Sequence, residues 1–297
     1  MDVLVAGGTG YIGTELCRTL AGRGHAVTAL ARDPSDASLP EEVTQLAADV
    51  TEEASVTDAV AGHDAVVNLV SLSPLYQPPT GTSHDAVHRG GTETLVESAA
   101  EAGVRRFVQM SGLGADPDGP TAFLRAKGRA ESIVRTSPLE WVIARPSVVV
   151  GGGSEFVRFV TQVTTPYVTG LPGGGKTMRF QPIWRGDLVE LLADCVDVER
   201  HAGETYELGG PEVLTLAEVT RIVWDVAGKS VRILPVPMAL AKVGLTLADP
   251  LPFVPLGRDQ ARVLTFDNVV STNDVVRFDR DLEELRPFRS AIADEFA

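Results

Sequence analysis

Uninterrupted apolar runs recur along the first half of the chain, at Asp2–Ala6, Ala26–Ala31, Val43–Ala48, Asp64–Ser71, Arg105–Met110 and Glu140–Ala144. Each has the length of a strand, and most are apolar at successive rather than alternate positions. A strand that is apolar on both sides is buried on both faces, which is the habit of parallel sheets covered by helices. Tyr11–Ala21 and Thr92–Ala102, lying between such runs, carry their apolar residues at helical spacing. Strands alternating with helices in this way predict an α/β fold built on a doubly wound parallel sheet.

The texture changes after Pro146. Glycine triplets at Gly151–Gly153 and Gly173–Gly175 flank a Thr/Val-rich segment, and prolines gather from Pro235 onward. Thr215 and Glu218 make a capping-box pattern that opens a helix running to about Gly228. The expected layout is a sheet domain over residues 1–150, completed by about 179–210, with a smaller C-terminal lobe made from 151–178 and 211–297. The stretch Ile233–Leu256 is apolar but broken by Pro235, Pro237, Lys242, Asp249, Pro250, Pro252 and Pro255. A membrane span needs about 20 unbroken apolar residues, so a core or interfacial helix around Met238–Leu247 is expected instead.

Charge narrows the class of partner. Forty acidic residues oppose 26 basic ones, and the only lysines are Lys127, Lys176, Lys229 and Lys242. A surface of net charge −14 repels nucleic acid, which is not an expected partner, and it repels anionic membranes over its average. Excess carboxylate with scarce lysine also suits a halophilic source, whose salt screens the repulsion between acids. A cytoplasmic location is expected, because Asp2–Ala6 already reads as a buried strand rather than a targeting segment. Cys17 and Cys195, far apart and without His/Cys clusters, read as free buried thiols of a reducing compartment.

The strongest chemical signal is Gly7-Gly-Thr9-Gly10-Tyr11-Ile12-Gly13, which leaves the first strand and opens the first helix. Gly7 permits the tight turn, Gly10 lets backbone approach a pyrophosphate, and Gly13 lets the helix pack closely on the sheet. The pyrophosphate then meets free N–H groups and the positive end of the helix dipole. The pattern predicts a Rossmann dinucleotide site, and a nicotinamide dinucleotide as its ligand. The second strand ends in Arg32 and Asp33, about 20 residues beyond the last glycine, where the ribose is read. A guanidinium pairs with a 2′-phosphate, so Arg32 favours NADP(H), while the adjacent Asp33 keeps NAD(H) open. Asp49, with Val50, is placed to meet the adenine, and Asn68–Ser71, including Val70 and Ser71, to line the nicotinamide ribose.

Two further strings imitate active sites. Gly170-Leu-Pro-Gly-Gly-Gly175-Lys176-Thr177 spells a phosphate loop, but a strand-like run with a proline follows where that loop needs a helix, and no buried strand is evident upstream. A hairpin-type loop is expected there. His84 and His88 stand one helical turn apart, as in a zinc protease helix, but Asp85 replaces the glutamate and no third ligand is apparent. No metal is expected, and the pair is expected to face solvent or substrate.

Taken together, Gly7–Gly13, Asp49-Val50, Asn68–Ser71, Ser111, Lys127, Arg145-Pro146 and Gln181-Pro-Ile-Trp-Arg-Gly-Asp187 resemble an extended short-chain dehydrogenase/reductase over nearly the whole chain. Phe123-Leu-Arg-Ala-Lys127-Gly128, Pro255-Leu-Gly-Arg-Asp-Gln260-Ala-Arg-Val-Leu264 and Asp267-Asn-Val-Val270 are similar to the atypical branch that contains the nucleotide-binding accessory subunit of respiratory complex I. The resemblance implies cofactor contacts from Lys127 and Pro146, and catalytic positions at Ser111 and Lys127. It also implies a tyrosine where Phe123 stands. That tyrosine passes a proton, a contribution of typically 10²–10⁴-fold in rate. Phe123 cannot supply it, and Tyr76, in the loop after the fourth strand, is the nearest candidate substitute. Two functions follow as expectations. One is a cofactor-holding protein with weak or absent dehydrogenase activity and a partner in a respiratory complex or at the inner face of a membrane. The other is a reductase, isomerase or epimerase acting on an apolar carbonyl or quinone-like substrate.

Overall fold

The computed structural model describes residues 1–35, 38–237 and 266–296. Its strands are β1 (Asp2–Ala6), β2 (Ala26–Ala31), β3 (Thr44–Ala47), β4 (Ala65–Asn68), β5 (Arg106–Met110), β6 (Glu140–Pro146), β7 (Val149–Val150), β8 (Tyr167–Pro172), β9 (Arg179–Phe180), β10 (Ile183–Trp184), β11 (Glu204–Leu208), β12 (Leu214–Thr215) and β13 (Val231–Val236). The helices are α1 (Gly13–Gly22), α2 (Glu53–Val60), α3 (Gly91–Ala102), α4 (Ala122–Thr136), α5 (Glu155–Val163), α6 (Arg185–Asp197), α7 (Leu216–Val226) and α8 (Phe288–Ala291). The chain divides into two compact units. The first comprises Met1–Leu72, Pro78–Pro146 and Gly186–Glu207, and the second comprises Ser73–Gln77, Ser147–Arg185 and the described residues from Leu208 onward.

The first unit is a seven-stranded sheet in the order β11-β6-β5-β4-β1-β2-β3. Strands β1 to β6 pair in parallel throughout. Leu4, Ala6, Val66, Phe107 and Ile143 face one way and pack with Val56, Leu95, Val96, Ala99 and Val134 from α2, α3 and α4. Their sequence neighbours Val3, Val5, Val67 and Val108 are equally buried, which accounts for the unbroken apolar runs. Strand β3 departs from that expectation, because it lies at the sheet edge and most of it is exposed. Strand β4 stops at Asn68 rather than Ser71, since the Asn68 side chain turns back to accept from the Val70 N–H and ends the extended run. Chain order reverses between β1 and β4, and the carboxyl ends flanking such a switch point are where open α/β sheets bind ligands.

The second unit has its own core, in which Phe156, Val157 and Val160 of α5 meet Val219 and Val223 of α7, with Phe180, Phe288 and Ile292. Asn268 ties it together by accepting from the Ser147 hydroxyl at 2.7 Å and the Val148 N–H at 2.9 Å. Gln181 donates to the Gly210 carbonyl and accepts from the Val270 N–H. The Gln181 and Asp267–Val270 motifs are therefore structural clamps. The loop at Gly173–Gly175 corrects one expectation. It is not a hairpin, because β8 pairs in parallel with β13 while β9 pairs with β12, and a strand does precede it. Strands β9 and β10, not a helix, follow the loop directly in sequence, so the strand–loop–helix order of a phosphate loop is not formed. The Met238–Leu247 segment and the Pro255–Leu264 motif lie outside the described residues.

Candidate functional site

The ends of strands β1 to β6 in the first unit, and the short segments that follow them, lie at the carboxyl edge of its sheet. Gly7 turns the chain out of β1 with φ +81°, a conformation glycine adopts without strain, and its N–H donates to the Leu30 carbonyl at 2.8 Å. Gly13 has no room for any side chain: a Cβ there would lie 2.1 Å from the Gly7 carbonyl oxygen. Gly8, which the spacing did not single out, is as tightly placed, since its Cβ would lie 2.7 Å from that of Ala29. By contrast Gly10 is exposed, and Thr9, Tyr11 and Ile12 are half-exposed. Helix α1 begins beneath this turn with no side chain capping it. An uncapped helix start under an open glycine turn fits a pyrophosphate, which can take the N–H groups no cap has satisfied.

At the end of β2 Arg32 is exposed and forms no ion pair among the described residues. Asp33 is occupied: one carboxylate oxygen accepts from the Ser35 hydroxyl at 2.6 Å and from the Ser35 N–H at 3.2 Å. Those bonds hold its carboxyl below the usual carboxylate range. Asp49 likewise spends one oxygen on the Thr51 N–H and hydroxyl, leaving the other for a ligand amino group. Val50 is buried in the core, so it has only backbone to offer.

Asn68 is tied into the sheet by its side chain. Its amide donates to Thr92 at 3.1 Å and Gln109 at 3.0 Å, and its oxygen accepts from the Val70 N–H. A buried amide bonded in this way joins β4, β5 and α3 and fixes the backbone at Val70. Ser71 is exposed and donates to the Leu72 carbonyl, and Pro146 is buried at the end of β6, where its carbonyl accepts from the Leu113 N–H.

Ser111, directly after β5, is anchored by its N–H to the Ala144 carbonyl at 2.7 Å, yet its hydroxyl is buried without a partner. Lys127 is 1% exposed and donates to the Met110 carbonyl at 3.0 Å. Burial pulls its ammonium down to about 8, with Glu131 opposing. Glu131 itself is fully buried and gripped by Arg145 at 2.6 and 2.8 Å. That pair, which nothing in the spacing reveals, explains why Arg145 stands beside Pro146 in the motif.

Phe123 lies one helical turn before Lys127, with the lysine nitrogen 5.9 Å from its ring centre. His84 and His88 meet the same ring edge-on, at centroid separations of 5.6 and 5.3 Å. His84 precedes and His88 lies within a π-helical stretch, Asp85–Gly90, and neither faces solvent: His84 is 6% and His88 2% exposed. Apolar packing of the two rings around Phe123 overrides the solvent-facing expectation. Burial above all, then the charge of Lys127 and the nearby His84, drives His88 far below the usual imidazole range, so it is neutral. No group of three or more metal-ligating side chains occurs among the described residues. Tyr76 belongs to the second unit, where its hydroxyl donates to Gln162 at 3.0 Å. Burial, and then Glu155, raise its phenol above the usual range.

A family profile described as NAD(P)H-binding matches residues 7–195. The chain belongs to that NAD(P)H-binding family. It is 30% identical to the NADH dehydrogenase [ubiquinone] 1 alpha subcomplex subunit 9, mitochondrial, of Arabidopsis thaliana, over 94% of this chain and 73% of that protein. It is 28% identical to the NADH-ubiquinone oxidoreductase 40 kDa subunit, mitochondrial, of Neurospora crassa, over 74% of this chain and 58% of that protein. An NAD(P)H azoreductase of Xenophilus azovorans is also 28% identical, over 82% of this chain and 80% of that protein. The fold matches the UDP-glucose 4-epimerase of Thermus thermophilus, solved with NAD, at TM-score 0.74 and 20% identity, covering 100% of this chain and 98% of that one. Members of the NAD(P)H-binding family take a nicotinamide dinucleotide, and the matched residues begin at Gly7, in the open turn over α1. Among the described residues no helix is long and apolar enough to cross a membrane.

Proposed function

We propose that this protein holds NADPH in preference to NADH and oxidises it slowly or not at all, serving as a cofactor-bearing accessory component in the manner of its complex I relatives. The observation that carries this reading is the Phe123 environment. In this reading Lys127 and Ser111 hold and orient the nicotinamide end, and the ring one turn before Lys127 has no oxygen. Exposed Arg32 supports NADPH, because a guanidinium pairs with a 2′-phosphate, while Asp33 beside it is turned back onto Ser35 and keeps its charge. The second unit is read as the substrate lobe. A partner at a respiratory complex or the inner face of a membrane, a cytoplasmic location and a high-salt source belong to the same proposal, resting on the named relatives and the net charge of −14.

A second reading is a reductase, isomerase or epimerase on an apolar carbonyl or quinone-like compound. It is favoured by the unsatisfied Ser111 hydroxyl and by the likeness to an azoreductase.

The test is NADPH binding and oxidation in molar KCl with quinone and carbonyl acceptors, wild type beside Phe123→Tyr. Tight binding without oxidation by the wild type, and a gain of about 10²-fold or more in the tyrosine variant, is the expected result. Rapid wild-type oxidation would replace the first reading by the second.

A further inference from the structure

Two polar atoms at the end of the sheet are buried and have no partner: the Ser111 hydroxyl and Nδ1 of His88. They belong to one neighbourhood. Ser111 follows β5, and Gly112 beside it lies close enough to Phe123 that a Cβ there would sit 3.7 Å from the ring. His88 touches the same ring, and its Nε2 receives the N–H of Leu72, just beyond β4, at 3.3 Å. Strands β4 and β5 are neighbours in the sheet.

The Leu72 contact decides the tautomer. A backbone N–H can only donate, so Nε2 of His88 accepts and its proton sits on Nδ1. His84 Nδ1, 3.4 Å away, is then a donor to the same Nε2. His88 therefore carries a buried N–H that nothing in the described chain satisfies. Leaving such a donor unmade is costly, typically about 1–3 kcal/mol, and a native structure tolerates it where a ligand or water completes the bond.

We propose that Ser111 and His88 form a two-donor seat for the carbonyl oxygen of an uncharged, apolar ligand, with the imidazole N–H replacing the phenol that Phe123 lacks. The inference rests on the reading that this edge of the sheet holds a nicotinamide cofactor. Both donors are neutral, which favours a carbonyl over a carboxylate or phosphate. The Phe123 ring supplies an apolar wall, which favours a quinone or aryl ketone over a sugar. A neutral imidazole polarises a carbonyl by hydrogen bonding without handing over its proton, as it is known to do elsewhere. The seat thus binds and orients an oxygen while leaving proton transfer weak, in keeping with the missing hydroxyl.

Menadione serves as the probe, titrated into protein saturated with NADP⁺ so that no turnover intervenes. Its affinity should fall about tenfold or more in His88→Ala and recover to within about threefold in His88→Asn, which restores a donor near Nδ1. NADP⁺ affinity should stay within about threefold throughout, since His88 acts on the ligand and not on the dinucleotide. In the wild type, ¹⁵N spectra of the histidine rings should show His88 protonated on Nδ1, with that signal shifting as menadione binds. This last readout requires no variant to fold. An Nε2-protonated His88, no menadione binding by the wild type, or equal affinity in wild type and a folded His88→Ala would each overturn the proposal. Failure of the wild type to bind NADP⁺ would instead remove the functional reading beneath it, and the proposal with it.

Discussion

At Phe123 the proposed function turns on a single atom. The ring packs against His84, His88 and Lys127 and carries no hydroxyl. Arg32 is the other residue on which the proposed function turns. A charge-assisted pair with a 2′-phosphate contributes roughly 1.5–3 kcal/mol, so Arg32→Ala should weaken NADPH binding by roughly 10- to 100-fold. NADH binding should barely change, and fluorescence titration with both cofactors reads the difference; equal losses would remove Arg32 from the specificity reading. Lys127 makes a pH prediction. Its folded value, about 8, lies below the 10.5 of a free lysine, so between those two the unfolded chain binds more protons. Stability then rises with pH across that window, because the burden of a buried ammonium is full below about 8 and is relieved above it. Urea unfolding at several pH values should show a rise of about 1–3 kcal/mol that Lys127→Met flattens.

Elements are legible where local chemistry specifies them. Helix α7 begins as its sequence indicates: Thr215 accepts from the Glu218 N–H at 3.2 Å, and the Glu218 carboxylate returns to the Thr215 N–H at 2.8 Å. Thr215→Ala should therefore lower stability by about 1 kcal/mol, measured by thermal or urea unfolding. Those same bonds hold the Glu218 carboxyl below its usual range. Its contribution is thus present above the ordinary glutamate value and disappears as pH falls through the depressed one. The loop at Gly173–Gly175 is less legible. Its glycines mark a turn, but which strands flank it depends on β13 and β12, far along the chain. The same limit applies to β3, whose exposure follows from its place at the sheet edge and not from its residues.

For the molecule as a whole, the dominant quantity is charge. With 40 acidic and 26 basic residues, self-repulsion opposes the compact state at low ionic strength and is screened as the Debye length shrinks, from about 10 Å at 0.1 M salt to about 3 Å at 1 M. Thermal unfolding should shift upward by several degrees or more between about 0.1 and 2 M KCl. A midpoint insensitive to KCl would count against a high-salt origin. Some of the repulsion is offset locally, as where Arg23 at the end of α1 gathers Glu190, Asp194 and Asp197 of α6 at 2.5 to 2.8 Å.

The Rossmann sheet, its glycine turn, the capped start of α7 and the missing hydroxyl at Phe123 could all be known from the order of residues alone. Each depends on neighbours in sequence: on apolar succession, on a glycine pattern between strand and helix, or on one side chain at a marked place. Tertiary structure alone decided that Asn68 is a sheet clamp, that Asp33 is already satisfied, and that Glu131 holds Arg145. It also turned a histidine pair that looked like a surface motif into a buried one, with an N–H on His88 that meets no partner in the described chain. Hydrogen-bond satisfaction and burial depend on residues dozens of positions apart, and the fold is what brings those residues within about 3 Å.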